Sequence, residues 1–554
     1  MPFACALAAA IGGAIVAWHY HRLGLTLTHY DARGHLVVAR RIVDSITPGW
    51  QQIGAVWLPL PHLLNALPVQ VDLFYRTGAS AVVISVAAFA VATGAIASIV
   101  LTLTESLAAA FASAAVFALN PNVLYLQSTP MTEPLLIALT TLGVAMLMGW
   151  CRSRSAASGE APAAVASADA RATRAGVESP RASRKVVGVG PHDEVRKVGW
   201  IFVFACLTRY EAWPVAAGAL TAAAWARWRG GEPLATALRR VGEIARYPAL
   251  AIVAFAIFSR VVIGQWFVSS DFFVPENKAL NDPVMAAAEI LWGLRAMSGD
   301  ILLIAGAAGL VFLVALGLFN RRRGGALVAA ALVGTAAVPW LAFYEGHPFR
   351  IRYMVPLIAM EAIGTGAVVG LIKRKQTVNA KTAKTAKEEF SLRSLRPLRS
   401  TDADVAAAVL LLAVAAFELH PLDGSAPMVV EAQWDRPNVP ERARVTACLG
   451  QPGSGQKIMA SMGSLGHYMQ ETSRAGFAIR DFLHEGNGDI WLAALDDPLP
   501  YAEWILIEEK AEGGDMLAKR AREQPNFLSG YSRACEGAGL ALYVRTGSSP
   551  RTDR

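Results

Sequence analysis

Thr28-His29-Tyr30-Asp31-Ala32-Arg33-Gly34-His35 lies between the first two hydrophobic segments of a 554-residue chain. Pro2–His19 before it and Ala79–Leu103 after it are apolar enough to cross a membrane. An acid so close to a membrane-spanning segment is expensive unless it faces water, a cavity or a substrate. Asp31 is therefore the residue from which the rest of the chain is read.

Composition sets the class. The chain is 54% hydrophobic and 17% charged, with a mean hydropathy of +0.38. These values describe a polytopic membrane protein. The net charge of +8 does not argue for nucleic acid, because the basic residues sit in short segments between apolar runs, as positive-inside topology requires. Met1–Trp18 has no Lys or Arg ahead of its apolar run, so it reads as a retained span rather than a cleaved signal.

Eleven spans are expected: Pro2–His19, Ala79–Leu103, Leu107–Tyr125, Pro134–Trp150, Gly199–Thr208, Trp213–Trp225, Pro248–Gly264, Ile301–Phe319, Ala326–Phe343, Met354–Ile372 and Val405–Leu419. With a cytoplasmic N-terminus, the loops after the fourth, sixth, eighth and tenth spans hold about nine, five, three and nine Lys/Arg. The pass at 199–208 is short for a crossing of ~20 residues, so it is a partial helix or begins within the preceding loop. Residues 20–78 form a long first outer loop. Residues 151–197 form a disordered cytoplasmic loop rich in Ala, Ser, Arg and Gly. Residues 373–402 form a basic cytoplasmic loop. Residues 1–420 are the membrane domain, and 421–554 an extracytoplasmic α/β domain. In the latter, strands are expected at Lys457–Met462, Ala478–His484 and Trp504–Glu508, with helices at Ser464–Ala475 and Asp515–Glu523. Cys448 and Cys535 both fall in this tail and are a disulfide candidate outside the cytoplasm.

On this topology the polar intrusions gather on the outer face. They are Asp31, then Glu133 in Thr132-Glu133-Pro134, then Arg209, Tyr210 and Glu211 between the fifth and sixth spans. His347, Arg350, Arg352 and Tyr353 precede the tenth, and Asp271 and Glu276 lie after the seventh. Each has a plainer reading. Asp31 is a candidate N-cap for an amphipathic helix Ala32–Ser45 lying along the membrane surface. Glu133 suits a first helical turn beside Pro134. Arg209 can pair with Glu211 alone or reach lipid headgroups. Arg350 and Arg352 can be interfacial anchors, and His467 and His484 are packing or surface residues. No phosphate-binding loop, His-Glu-x-x-His helix, Cys-x-x-Cys pair or Gly-x-Ser-x-Gly elbow is present.

The arrangement resembles the GT-C superfamily of polyprenyl-phosphate-sugar-dependent glycosyltransferases, which includes protein O-mannosyltransferases and bacterial lipid A aminoarabinose transferases. The resemblance rests on four short motifs: Tyr30-Asp31 in the first outer loop, Thr132-Glu133-Pro134 opening the fourth span, Leu207-Thr208-Arg209-Tyr210-Glu211, and Arg352-Tyr353-Met354-Val355-Pro356. The chain departs from the pattern in having a single acid at Asp31, where many members carry two, and Arg rather than Lys at 209. The resemblance implies sugar transfer from a polyprenyl-phosphate donor to an acceptor hydroxyl at the extracytoplasmic face of the plasma membrane. Asp31 would be the general base. Arg209 and Arg352 would hold the donor phosphate. Tyr30, His35, Glu133, Tyr210, Glu211, His347, Arg350 and Tyr353 would line the substrate site. Trp50 and Trp57 would shape the acceptor entrance. Glu133 would orient the sugar or acceptor, or help hold a divalent metal ion where one is used. The acceptor class (protein, lipid or glycan) is left open. Two other functions compete, a transporter or flippase of a lipid-linked sugar and a non-catalytic envelope assembly protein.

Overall fold

The computed structural model describes residues 1–54, 56–157, 191–264, 266, 277–381, 402–452, 456–511 and 514–547. Within them the chain is a polytopic α-helical membrane protein with a five-stranded C-terminal α/β unit. Seven helices are long and apolar enough to cross a membrane: Pro2–Arg22, Ala79–Thr104, Glu133–Arg152, Leu234–Ile263, Asp300–Phe319, Gly325–Tyr344 and Ile351–Gly370. The other four expected spans fall on shorter or less apolar helices, Leu107–Ala118, Pro191–Cys206, Ala212–Arg229 and Asp402–Glu418. The short pass at 199–208 is explained by its helix, which begins at Pro191, inside the stretch expected to be a loop. At the other end of that stretch the helix from Glu133 runs to Ala157. The helix Leu357–Lys381 likewise extends into the expected basic loop. The expected disorder at 158–190, the rest of the basic loop at 382–401, and Asp271 and Glu276 lie outside the described residues.

Small residues let the helices approach closely. Gly309 and Gly364 face each other so tightly that a Cβ on either would strike backbone of the opposite helix. Ile351–Gly370, the most enclosed of the seven spans, runs through the middle of this packing, and Arg352 stands at its mouth.

The first loop is ordered rather than extended. It carries the helix Tyr30–Arg41, not Ala32–Ser45, and ten of the twelve residues of that helix are buried. It does not lie open on a membrane surface, because Met462–Thr472 of the C-terminal unit packs over it. The sheet has the order β2-β1-β3-β5-β4, with β1 Ile458–Ala460, β2 Phe482–Leu483, β3 Trp504–Glu508, β4 Tyr531–Gly537 and β5 Leu540–Arg545. β1 pairs parallel with β2 and β3, and β5 pairs antiparallel with β3 and β4. The strand expected over Ala478–His484 shrinks to two residues, since Ile479–Asp481 form a 3-10 turn. The β4–β5 hairpin is an addition. Its turn places Ala538 at φ 53° and Gly539 at φ 80°, the geometry of a two-residue hairpin that usually carries Asn-Gly. Cys448 and Cys535 are disulfide-bonded, with Cα atoms 6.5 Å apart.

The cores do not respect a division at residue 420. Leu36, Val37, Ala39, Val69, Tyr75 and Ala81 of the first-loop region share one apolar cluster with Val445, Ile458, Leu465 and Tyr468. Ala426, Met428, Val429 and Ala432 instead belong to the bundle's cluster.

Candidate active site

Four junctions in the chain meet at one end of the bundle. The first is the start of Tyr30–Arg41. His29 is its N-cap, and His29 Nδ1 accepts from Asp31 N at 3.1 Å. The capping role expected of Asp31 thus belongs to His29, and the Asp31 carboxylate is released for other work. The second is the first residue of Glu133–Ala157, where the helix dipole favours an acid. The third is the link Leu207–Glu211 between two helices, which carries Arg209 and Glu211. The fourth is the 3-10 turn Ile351–Met354 leading into the central span.

These junctions join Asp31, Arg352, Glu133, Arg209 and Glu211 in a line of alternating charge. Arg352 Nη1 pairs with Asp31 Oδ2. Arg352 Nε lies 3.8 Å from Glu133 Oε1, which Arg209 Nη1 approaches to 3.0 Å. Arg209 Nη2 pairs with Glu211 Oε1 at 2.7 Å, and Arg209 Nη1 also donates to Thr132 Oγ1 at 3.0 Å. Arg209 therefore does not serve Glu211 alone. Asp31, Glu133, Glu211 and Arg352 are all buried. Ions taken out of water in this way are tolerable only because each has an opposite charge beside it.

The line is not saturated. Neither oxygen of Glu133, nor Arg352 Nε, makes a hydrogen bond of good geometry. Asp31 meets Arg352 most closely through Oδ2, and Oδ1 makes no hydrogen bond to a described residue. Burial pushes the Asp31 carboxyl up. The guanidinium of Arg352, helped by His29, Arg350 and Arg209, overcomes this and holds it below the usual aspartate value. Burial opposes the charge of Arg209 too, but Glu133 and Glu211 raise its pKa above the ordinary arginine value. Both residues are charged at neutral pH.

Further residues surround the line. Arg350 Nε donates to Tyr30 Oη at 3.0 Å. Burial, then Asp31, pushes the Tyr30 phenol up to about 12 against the pull of Arg352 and Arg350. Arg352 Nη2 donates to Tyr353 Oη at 3.3 Å, which lies 3.4 Å from His347 Nε2. The Tyr210 ring packs edge-on against Trp213 and Phe255. His35 lies one turn beyond Asp31, and its ring packs at a tilt against Trp57 and His62.

Sequence reasoning missed four contributors: His29, Thr132, His62 and Glu431. Glu431 Oε2 accepts from Ile351 N at 2.7 Å, and Oε1 lies 3.7 Å from His29 Nε2. A signal was present, since Glu431 is the single acid in the apolar stretch Pro427-Met428-Val429-Val430-Glu431-Ala432. His484, expected as a packing or surface residue, is fully buried. Among the described residues no group of three or more His, Cys, Asp or Glu is placed to hold a metal ion. Arg352 sits between the two acids closest to such a role, Asp31 and Glu133.

No protein-family model matches the chain, and no curated protein does. Solved structures do. ArnT from Cupriavidus metallidurans, bound to undecaprenyl phosphate, is similar at TM-score 0.52 and 12% identity, over 98% of this chain and 99% of that one. ArnT in the apo state gives the same values. The apo oligosaccharyltransferase of Archaeoglobus fulgidus is similar at TM-score 0.49 and 10% identity, over 91% of this chain and 69% of that one. The chain thus shares the fold of ArnT over nearly all of its length.

Proposed function

We propose that this protein is an integral-membrane glycosyltransferase that moves a sugar from a polyprenyl-phosphate donor to an acceptor hydroxyl at the extracytoplasmic face. The observation that carries the reading is the alternating line Asp31–Arg352–Glu133–Arg209–Glu211, in which a carboxylate with one open oxygen stands beside the buried guanidinium of Arg352 and the half-buried one of Arg209 follows across Glu133. The fold shared with ArnT, a protein seen with undecaprenyl phosphate bound, supports the choice of donor.

The acceptor O–H gives its proton to Asp31 Oδ1 as its oxygen attacks the anomeric carbon. A new C–O bond forms, the bond from that carbon to the phosphate oxygen breaks, and the lipid phosphate leaves with the electron pair. Direct displacement inverts the anomeric centre. Arg352 and Arg209 stabilise the charge that accumulates on the leaving phosphate. The planar fork of each suits phosphate oxygens. The incoming phosphate competes with Asp31 for Arg352. As it draws the guanidinium away, the carboxylate loses the partner that depresses its basicity, so donor binding itself readies the base. The N-terminus lies in the cytoplasm in this reading, and the α/β unit is extracytoplasmic.

The test is incubation of the purified full chain with a panel of polyprenyl-phosphate-linked hexoses and pentoses, following released lipid phosphate by mass analysis. Consumption of a donor is expected. Donor that is bound or carried across the bilayer with its sugar intact would replace the transferase with a transporter.

A further inference from the structure

His35 and His62 are buried neighbours packed against the half-buried ring of Trp57. The ring centroids of His35 lie 4.2 Å from Trp57 and 5.4 Å from His62. Their hydrogen bonds fix every proton. The Leu58 carbonyl has none to give, so His62 Nδ1, 3.1 Å away, donates to it. A neutral His62 then presents a lone pair at Nε2, and His35 Nδ1, 3.2 Å away, donates to that. His35 is left with a lone pair on Nε2, which makes no hydrogen bond to any described residue. Burial keeps both rings neutral. It pushes His35 well below its ordinary value, with His62, Arg209 and Arg352 adding to the effect. It pushes His62 down to about 3 against the opposing Leu58 bond.

Asp31 and His35 are four residues apart on one helix and share a face. The open Asp31 Oδ1 and His35 Nε2 are both hydrogen-bond acceptors. A ligand that satisfies the two must bring two donors. A sugar ring does so with neighbouring hydroxyls, and its apolar face suits the half-buried Trp57. A serine or threonine side chain brings one donor. A phosphate monoester at neutral pH brings at most one, and its charge meets the Asp31 carboxylate.

We propose that the acceptor is a carbohydrate, seated on Trp57 with one hydroxyl on Asp31 and a neighbouring hydroxyl on His35 Nε2, whose acceptor role is fixed by His62 and the Leu58 carbonyl. This rests on the transferase reading above. The hydroxyl on Asp31 gives up its proton and attacks the donor. The hydroxyl on His35 keeps its proton and selects the acceptor.

The experiment offers the full chain, with a donor it consumes, three acceptor probes: octyl glucoside, a threonine-containing peptide and octyl phosphate. Sugar appearing on octyl glucoside in preference to the others is expected. Preferred transfer to the peptide or to octyl phosphate would overturn the carbohydrate acceptor and leave the transferase standing. A chain that consumes no donor with any probe would remove both. In a second arm, His62→Phe takes away the group that orients the His35 proton. The acceptor KM is expected to rise about tenfold more than the donor KM. Equal movement of the two would show His62 to be merely structural. If His62→Phe fails to fold, the three-probe comparison on the unaltered chain decides alone.

Discussion

Two buried ionic networks hang from the single helix Tyr30–Arg41, and they are finished differently. Arg33 faces the C-terminal unit, where it pairs with Asp435 and Glu471. Arg442 closes that network with two hydrogen bonds to Asp435 at 2.6 Å and two to Glu471 at 2.7–2.8 Å. Only Arg33 Nε is left over. Two residues away, Asp31 faces the bundle, and its network leaves one Asp31 oxygen, both Glu133 oxygens and Arg352 Nε without a good hydrogen bond. A buried polar group left unsatisfied costs stability, whereas a saturated bidentate network holds parts together. The closed network fastens the α/β unit to the first loop. The open one keeps bonding capacity for a ligand.

The largest break falls on the closed side. Arg442→Ala removes four charge-assisted hydrogen bonds and leaves the half-buried Asp435 and Glu471 to Arg33 alone, a loss on the order of 2–3 kcal/mol. Thermal unfolding of the detergent-solubilised protein should show the α/β unit detaching early. An unchanged melting profile would mean that the network is ornamental.

On the open side the expected loss is in rate. Asp31→Asn should slow sugar transfer at least ~100-fold, while the fold survives because Glu133 remains beside Arg352. Because Arg352 holds the carboxyl low, it stays ionised below the ordinary aspartate range. The acid limb of kcat/KM, which reports the free enzyme, should lie there. The limb of kcat should sit higher, since bound donor draws Arg352 away. Coincident limbs would rule out competition for Arg352.

A smaller effect comes from pH and the fastening of the α/β unit. His484 Nδ1 accepts from Gly486 N at 3.1 Å, and burial pushes the ring down to about 3. The unfolded chain takes up the proton near its ordinary value of 6.5, but the folded chain does not. Stability conferred by neutral His484 is therefore lost as pH falls from 6.5 toward 3. The loss is on the order of 1–2 kcal/mol by pH 5. His484→Gln should flatten the decline in melting temperature between pH 7 and pH 5. A slope equal to that of the parent chain would remove His484 as the cause.

The smallest change is at the rim of the open network. Arg350→Ala deletes the bond to Tyr30 and about 1 kcal/mol with it, so donor KM should rise several-fold. A hundredfold rise would promote Arg350 from rim to phosphate ligand.

Much of this molecule is legible in its amino-acid sequence alone. Runs of apolar residues announce membrane helices because lipid leaves the backbone no other partner, and each expected span lies on a helix. The acids and arginines of the site are also visible there, because charge near a bilayer is too costly to be incidental. The β4–β5 hairpin is not visible, since Ala538-Gly539 lacks the Asn-Gly turn that advertises such a hairpin.

Periodicity and charge report what each segment does against solvent or lipid, so local sequence is enough for the helices and for the polar end of the bundle. Which side chain meets which is a matter of packing between segments hundreds of residues apart. Only the assembled fold could show that His29, not Asp31, caps the helix. The same holds for the reach of Glu431 back to Ile351, and for the place of Arg352 between Asp31 and Glu133. Each of these pairings is a contest among several local partners, and it is settled by distances that no single stretch of chain contains.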